Sequence, residues 1–317
     1  MGRLHFRWLL AVCVFAGTFP LAGCLFRTRP IERQISNAPL KTASQQDLID
    51  FVNAQAGRIQ SLQATVDIDA SAGDPKSGRI TDYKEIRGYV LARKPDMLRL
   101  KGLMPVVRNT AFDMVSDGKE FKLWIPPKNK FVTGPDNETA YQPEKRMENM
   151  RPQYVYNALL LQPLGPGCPA PSCEIPVLEN GYEIVLDSKK HRVEQPDYEL
   201  MVIGCEPQGC HLARRIEFSR IDLLPHRLRI YDLQGNVTSD THYVTYKEFN
   251  GIPFPTTIEI DRPRENYDIT LNILKLELNL TLSDDQFALE QPAGAEIVRV
   301  SKTRPALSGA SAGSGGK

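Results

Sequence analysis

Two cysteine pairs with the same spacing carry the clearest chemistry in the sequence. Cys168 and Cys173 form one C-x4-C pair, and Cys205 and Cys210 form another. Four cysteines allow three disulfide pairings, and the short turn between Cys205 and Cys210 favours local pairing. A four-thiolate zinc site, or one that also uses His211, is the alternative, although zinc sites usually have C-x2-C spacing. We predict disulfides and no metal, because the N-terminal residues, described next, predict export, and an exported chain meets an oxidising compartment.

The first residues predict export and lipid attachment. Arg3 and Arg7 precede an uncharged apolar run that is too short to span a membrane comfortably. The run ends in Leu21-Ala22-Gly23-Cys24. This order is similar to the bacterial lipobox, in which cleavage before the cysteine leaves that residue to carry lipid. We therefore predict a signal peptide over 1–23 and lipidation of Cys24, the alternative being an ordinary secretory signal followed by a chance cysteine.

Motifs for catalysis are missing from the sequence. It contains no G-x-S-x-G, P-loop, G-x-G-x-x-G or H-E-x-x-H pattern. Its histidines after Cys24 are scattered without metal-ligand spacing: His191, His211, His226 and His242. A pair of catalytic carboxylates stays open, because such residues are distant in sequence. We predict that the protein is not an enzyme and uses no cofactor.

Composition and charge exclude several classes of protein. The chain has 317 residues, with 39 Lys and Arg against 38 Asp and Glu, and 41% of its residues are hydrophobic. These values are typical of a soluble globular protein, and they argue against a disordered chain, a collagen or a multi-span membrane protein. A net charge of +1 argues against nucleic acid as a partner.

The mature chain divides into a tether, a folded body and a tail. Residues 24–43 comprise the lipidated cysteine and a tether that reaches at most roughly 65 Å when extended. The body is predicted over 44–303, and the Ser- and Gly-rich segment 304–317 is predicted to be disordered. Leu25 follows the lipidated cysteine. By resemblance to the enterobacterial sorting rule, that residue favours the periplasmic face of the outer membrane.

Two regions have the periodicity of helices. One runs from Ser44 to Leu62, where Ser44 and Asp47 resemble a capping box. The second divides at Pro152 into short helices over about 143–150 and 152–161. Apolar side chains on this second region predict a lid over a ligand: Met147, Met150, Val155 and Leu159.

The rest of the body alternates apolar and polar residues, as half-buried antiparallel strands do. Between Tyr267 and Leu282 the apolar residues change from odd to even positions after Ile273, which predicts a β-bulge. We predict a mostly β (α+β) fold. Its strongly curved antiparallel sheet of about 11 strands forms an unclosed half-barrel with a helical lid.

Three segments match short strand-and-turn patterns of one family, in the same order. They are RKPDMLRL at 93–100, VSDGK at 115–119 followed by LWIP at 123–126, and LSDDQFAL at 282–289 followed by PAGAE at 292–296. With the lipobox, this order resembles the LolA/LolB lipoprotein-carrier family over about 44–300. The resemblance implies an unclosed β-barrel whose helical lid covers an apolar cavity for acyl chains. The Pro-rich segment 162–181 departs from the family pattern.

One loop extends this resemblance. The LolB branch is itself a lipoprotein and has a protruding apolar loop, and the matching residues here are Leu103, Met104, Val106 and Val107. Turns are mostly polar, so an apolar turn is unusual. If exposed, these residues could insert into a bilayer or a partner; the alternative is that they fold back into the core.

The expected function is therefore that of a lipid-anchored binding protein. Its expected partners are the membrane, through lipid on Cys24, and the acyl chains of lipids or lipoproteins, with an envelope protein as a possible third. The expected process is lipoprotein or lipid trafficking at the outer membrane. Two alternatives stay open: an interaction lipoprotein that uses the sheet as a scaffold, and a hydrolase whose site is not visible in sequence.

Overall fold

A computed structural model describes residues 35–74, 79–136, 150–168, 172–186, 189–207 and 209–300. Several predicted features lie outside these residues: the signal peptide, Cys24, all but the last residue of the helix predicted over about 143–150, with Met147, and the tail over 304–317.

The described residues contain fourteen strands. In chain order they are β1 (Ser61–Asp74), β2 (Arg79–Arg93), β3 (Met97–Leu103), β4 (Thr110–Ser116), β5 (Glu120–Ile125), β6 (Lys130–Pro135), β7 (Cys173–Leu186), β8 (Arg192–Glu206), β9 (Gly209–Ser219), β10 (Pro225–Tyr231), β11 (Val237–Phe249), β12 (Ile252–Arg262), β13 (Tyr267–Leu278) and β14 (Glu296–Arg299). The prediction of about eleven strands was therefore too low. Two strands were not predicted from the sequence: β6, in which Phe131 and Val132 are buried side by side, and β14, which has only four residues.

The chain divides into two compact units. The smaller unit comprises Met1–Asn37 and Ile184–Gln195, and in it Ile35 forms an isolated parallel bridge to Glu194. The larger unit comprises Ala38–Glu183 and Pro196–Lys317.

The strands follow one another in the order β14-β6-β5-β4-β3-β2-β1-β13-β12-β11-β10-β9-β8-β7. The pairs from β6 to β8 along this order are antiparallel, and β14 runs parallel to β6. Since β14 and β7 stand at opposite ends and the described residues do not pair them, the sheet is unclosed. The bulge in β13 is confirmed: Thr65 faces Lys275 while Val66 faces Ile273, which leaves Leu274 as the extra residue.

Two helices accompany this sheet in the described residues. Helix α1 (Gln45–Arg58) begins with the predicted capping box, in which the Asp47 backbone N–H donates to Ser44 Oγ at 3.2 Å. It ends four residues before the predicted Leu62, because Ser61 already begins β1. Helix α2 (Pro152–Leu159) begins at Pro152, where the missing N–H costs no helical hydrogen bond. Neither of these helices combines the length and apolar character needed to cross a membrane.

Helix α2 shows that the sheet is strongly curved. It contacts β3 and β4 and also β12, although β2, β1 and β13 lie between β3 and β12 in the sheet. With neighbouring strands about 4.8 Å apart, a flat sheet would hold β3 and β12 roughly 19 Å apart. One helix touches both because the sheet bends around it.

Candidate functional site

An apolar cavity lies on the inner side of β1–β4 and β13. Its volume is about 470 Å³, within the range of small-molecule sites. Most of its lining is aliphatic or aromatic, including Ile68, Ala70, Leu100, Phe112, Ile125 and Ile269.

Strand alternation builds this lining. Ile68, Ala70 and Ala72 are alternate residues of β1 and therefore share one face of the sheet. Across the pair of strands, Ala70 lies opposite Ile269 of β13. On β3, Gly102 leaves room for the Phe112 ring, since a β-carbon at this position would overlap it. The small residues thus create the space that the large ones surround.

Few polar residues line the cavity. They are Ser71, Tyr83, Lys128, Asp268 and the buried Tyr267. Burial raises the pKa of Asp268, and the neighbouring charge of Asp82 raises it further. Burial also raises the pKa of Tyr267 to about 12, so its ring stays neutral. Because a polar guest needs hydrogen-bond partners for each buried group, this lining suits an apolar guest.

The loop after β3 places apolar side chains in solvent beside the cavity. Met104 and Pro105 line the cavity, and Leu103 is half-buried. Val106 is 94% exposed and Val107 is 61% exposed. Val106 has a φ of 67°, a left-handed conformation that β-branched residues rarely adopt. Of the two alternatives for this loop, the structure shows exposure.

The four predicted lid residues do not lie together at the cavity. Met150 is half-buried and lines the cavity. Val155 is buried in the core, away from the cavity lining. Leu159 is buried and lines a separate crevice of about 20 Å³. Met147 lies outside the described residues. Of the lid residues in the described part of the chain, Met150 is the one at the cavity.

Helix α2 is held by contacts that the sequence analysis did not predict. Tyr156 Oη donates to the Pro95 carbonyl. The Arg262 guanidinium carbon lies 3.1 Å from the centre of the Tyr154 ring, as in a cation–π contact. Arg262 is fully buried and pairs with Glu265 at 2.8 Å. A signal was available, because Ile258, Ile260 and Arg262 are alternate residues of β12 and must share its buried face.

Both cysteine pairs are bonded locally. Cys168 is joined to Cys173, with 5.1 Å between their Cα atoms, and Cys205 is joined to Cys210, with 4.0 Å. The second bond links residues that face each other on β8 and β9. Of the three pairings that the sequence allowed, the structure contains the local one.

The described residues thus form an unclosed, curved β-sheet around an apolar cavity. No family model matches the sequence, and no curated protein matches it. The solved structures that are similar to the chain include three bacterial proteins. One is a DUF1329 family protein from Desulfovibrio piger, with 13% identity, coverage of 77% of this chain and 95% of that one, and a TM-score of 0.48.

The other two are a LolA superfamily protein from Nitrosomonas europaea and a domain from Vibrio parahaemolyticus named for outer membrane lipoprotein sorting. The first has 12% identity, covers 78% of this chain and 99% of that one, and has a TM-score of 0.44. The second has 10% identity, covers 77% of this chain and 97% of that one, and also has a TM-score of 0.44. The solved structures that are similar to the chain thus include a protein of the LolA superfamily.

Proposed function

We propose that the protein binds the acyl chain of a lipid or lipoprotein in its apolar cavity and serves lipoprotein or lipid trafficking at the outer membrane. The supporting observation is the size and lining of the cavity. At about 25 Å³ per carbon, the ratio given by benzene in an apolar cavity of roughly 150 Å³, its 470 Å³ hold roughly 19 carbons. That is room for one acyl chain, and each buried methylene contributes about 0.8 kcal/mol.

The exposed loop gives an acyl chain a route into the cavity. Met104 and Pro105 line the cavity while Val106 and Val107 extend into solvent, so one loop reaches both places. Burying a valine side chain in a bilayer contributes about 1.5–3 kcal/mol. The loop therefore inserts its valines into the membrane surface, and the acyl chain passes from the membrane to the cavity without crossing water.

The N-terminus supplies the anchor in this proposal. Lipid on Cys24 holds the protein at the periplasmic face of the outer membrane, and the tether lets the folded body move away from the membrane surface. Binding by burial requires no chemical step, so the protein acts as a carrier and not as an enzyme.

Titration with a fluorescent fatty acid tests the proposal. The full chain carrying Cys24→Ser is titrated with cis-parinaric acid, and palmitate is then added as a competitor. One saturable site per chain from which palmitate displaces the probe is expected. A folded chain that enhances no fluorescence, or that binds probe without saturation, would contradict the proposal.

A second candidate is an interaction lipoprotein that uses the sheet as a scaffold. It is favoured by β7, which is one of the two end strands of the sheet among the described residues and on which Ile175, Val177 and Tyr182 are exposed. An end strand with free backbone groups can pair with another chain. Photo-crosslinking from position 175 in intact cells tests it: one discrete adduct that disappears with Val177→Lys supports a scaffold, and no adduct counts against it.

A further inference from the structure

We infer that the two cysteine pairs form a single four-thiolate site for a zinc ion when their disulfides are reduced. The sulfur atoms of Cys168, Cys173 and Cys205 lie within 4.8 Å of one another. The fourth sulfur, that of Cys210, is bonded to Cys205 at 2.02 Å. The Cys210 sulfur is therefore attached to this group of three through its bond to Cys205.

The sheet brings these residues together from distant parts of the sequence. Cys205 and Cys210 face each other on β8 and β9. Cys173 is the first residue of β7, the other neighbour of β8. Adjacent strands are about 4.8 Å apart, so Cys205 on the middle strand lies within reach of a cysteine on either neighbouring strand. A disulfide that closes a local turn does so without contact with a second disulfide. The two disulfides nevertheless lie close together, as a common metal site requires.

The cluster fits zinc in size and in access. Four thiolates at about 2.3 Å from a tetrahedral zinc ion lie roughly 3.8 Å from one another. The sulfurs of Cys168, Cys173 and Cys205 already lie within 4.8 Å of one another, and the sulfurs of each pair move apart to this spacing once their bond opens. Cys173 is buried and Cys205 half-buried, whereas Cys168 and Cys210 are exposed. The inner ligands thus have fixed positions, and the outer ones leave the ion a path from solvent.

The exchange between the two forms balances. Each disulfide takes two electrons and two protons from a dithiol reductant, which itself becomes a disulfide. The four resulting thiols release four protons as they bind Zn²⁺, so the completed site carries a charge of minus two. Oxidising conditions therefore give two disulfides and reducing conditions give the metal site.

Cobalt binding tests the inference, because Co²⁺ bound by four thiolates has an intense visible spectrum. The full chain carrying Cys13→Ser and Cys24→Ser is reduced with a phosphine and titrated anaerobically with Co²⁺. We expect one cobalt per chain with the tetrathiolate spectrum, which Zn²⁺ displaces. The matched variants Cys168→Ser/Cys173→Ser and Cys205→Ser/Cys210→Ser should each lose that spectrum, as should the oxidised chain.

Two results would overturn the inference. One is a reduced chain that binds no cobalt; the other is a spectrum that survives replacement of either pair, since each pair would then act alone. If reduction unfolds the chain, the reduced chain is refolded with and without Zn²⁺ and followed by circular dichroism. Recovery of the β-sheet signal with one zinc per chain supports the site, and refolding without zinc uptake, or failure to refold with zinc, contradicts it.

Discussion

Replacing Ala70 by phenylalanine should shorten the longest acyl chain that the cavity holds. Ala70 lies on the inner face of β1, between Ile68 and Ala72, and lines the cavity. The added ring has six more carbons and removes about 150 Å³ at about 25 Å³ per carbon. Against a cavity of about 470 Å³, room for roughly 13 of 19 carbons remains.

The affinity for palmitate should then fall while that for decanoate stays the same. Palmitate fits the original cavity, but the Ala70→Phe cavity excludes about three of its methylenes, a loss of about 2.4 kcal/mol. That loss corresponds to about 50-fold in the dissociation constant. Decanoate fits both cavities, so its affinity should change by less than about threefold.

The assay is displacement of cis-parinaric acid by a series of fatty acids from decanoate to stearate. Val244→Phe is the matched control, because Val244 is exposed on β11 and takes no part in the cavity lining. The reasoning is refuted if Ala70→Phe weakens all chain lengths equally, or if Val244→Phe has the same effect as Ala70→Phe.

Three further predictions concern the loop, the cavity wall and pH. Val106→Asn should raise the free energy of unfolding in urea by about 1 kcal/mol, because asparagine tolerates a φ of 67°. The same substitution should weaken sedimentation of the protein with lipid vesicles, and unchanged vesicle binding would count against membrane insertion. Gly102→Val should lower the free energy of unfolding by about 1–3 kcal/mol, since the valine side chain displaces the Phe112 ring. An undiminished urea midpoint would contradict the close packing of Phe112 against Gly102. His226 lies 2.9 Å from Asp222; burial lowers its pKa, but the hydrogen bond and charge of Asp222 outweigh burial and raise it overall. Its stabilising effect is therefore complete below the ordinary histidine pKa and is lost as pH rises through the raised value. His226→Gln should cost more stability at pH 5 than at pH 8, and an equal cost at both would refute the pairing.

Sequence patterns predicted the features that depend on local chemistry. The capping box at Ser44, the helix that begins at Pro152 and the bulge at Leu274 each follow from residues close in sequence. The local disulfides follow from spacing in the same way. For such features the backbone geometry needed by a few neighbouring residues decides the structure.

Features that depend on distant partners were not predictable in this way. Strand β14 has four residues and is recognisable only through its parallel pairing with β6. The pattern around Val155 gave an apolar helix face, which we interpreted as part of a lid over a ligand. Periodicity does not say whether such a face covers a cavity or packs into the core, where Val155 is buried. Arg262 lies under Tyr154 because the curved sheet brings β12 to α2, and that curvature is not written in any one segment.

The central claim is that the cavity holds an acyl chain in the cell, and the lipid content of the exported protein tests it most directly. The chain carrying Cys24→Ser is exported to the periplasm and purified without detergent, and its organic extract is analysed by mass spectrometry. About one acyl chain per protein is expected, with a smaller amount and shorter chains in Ala70→Phe. A folded, oxidised protein whose extract contains no lipid would contradict the claim.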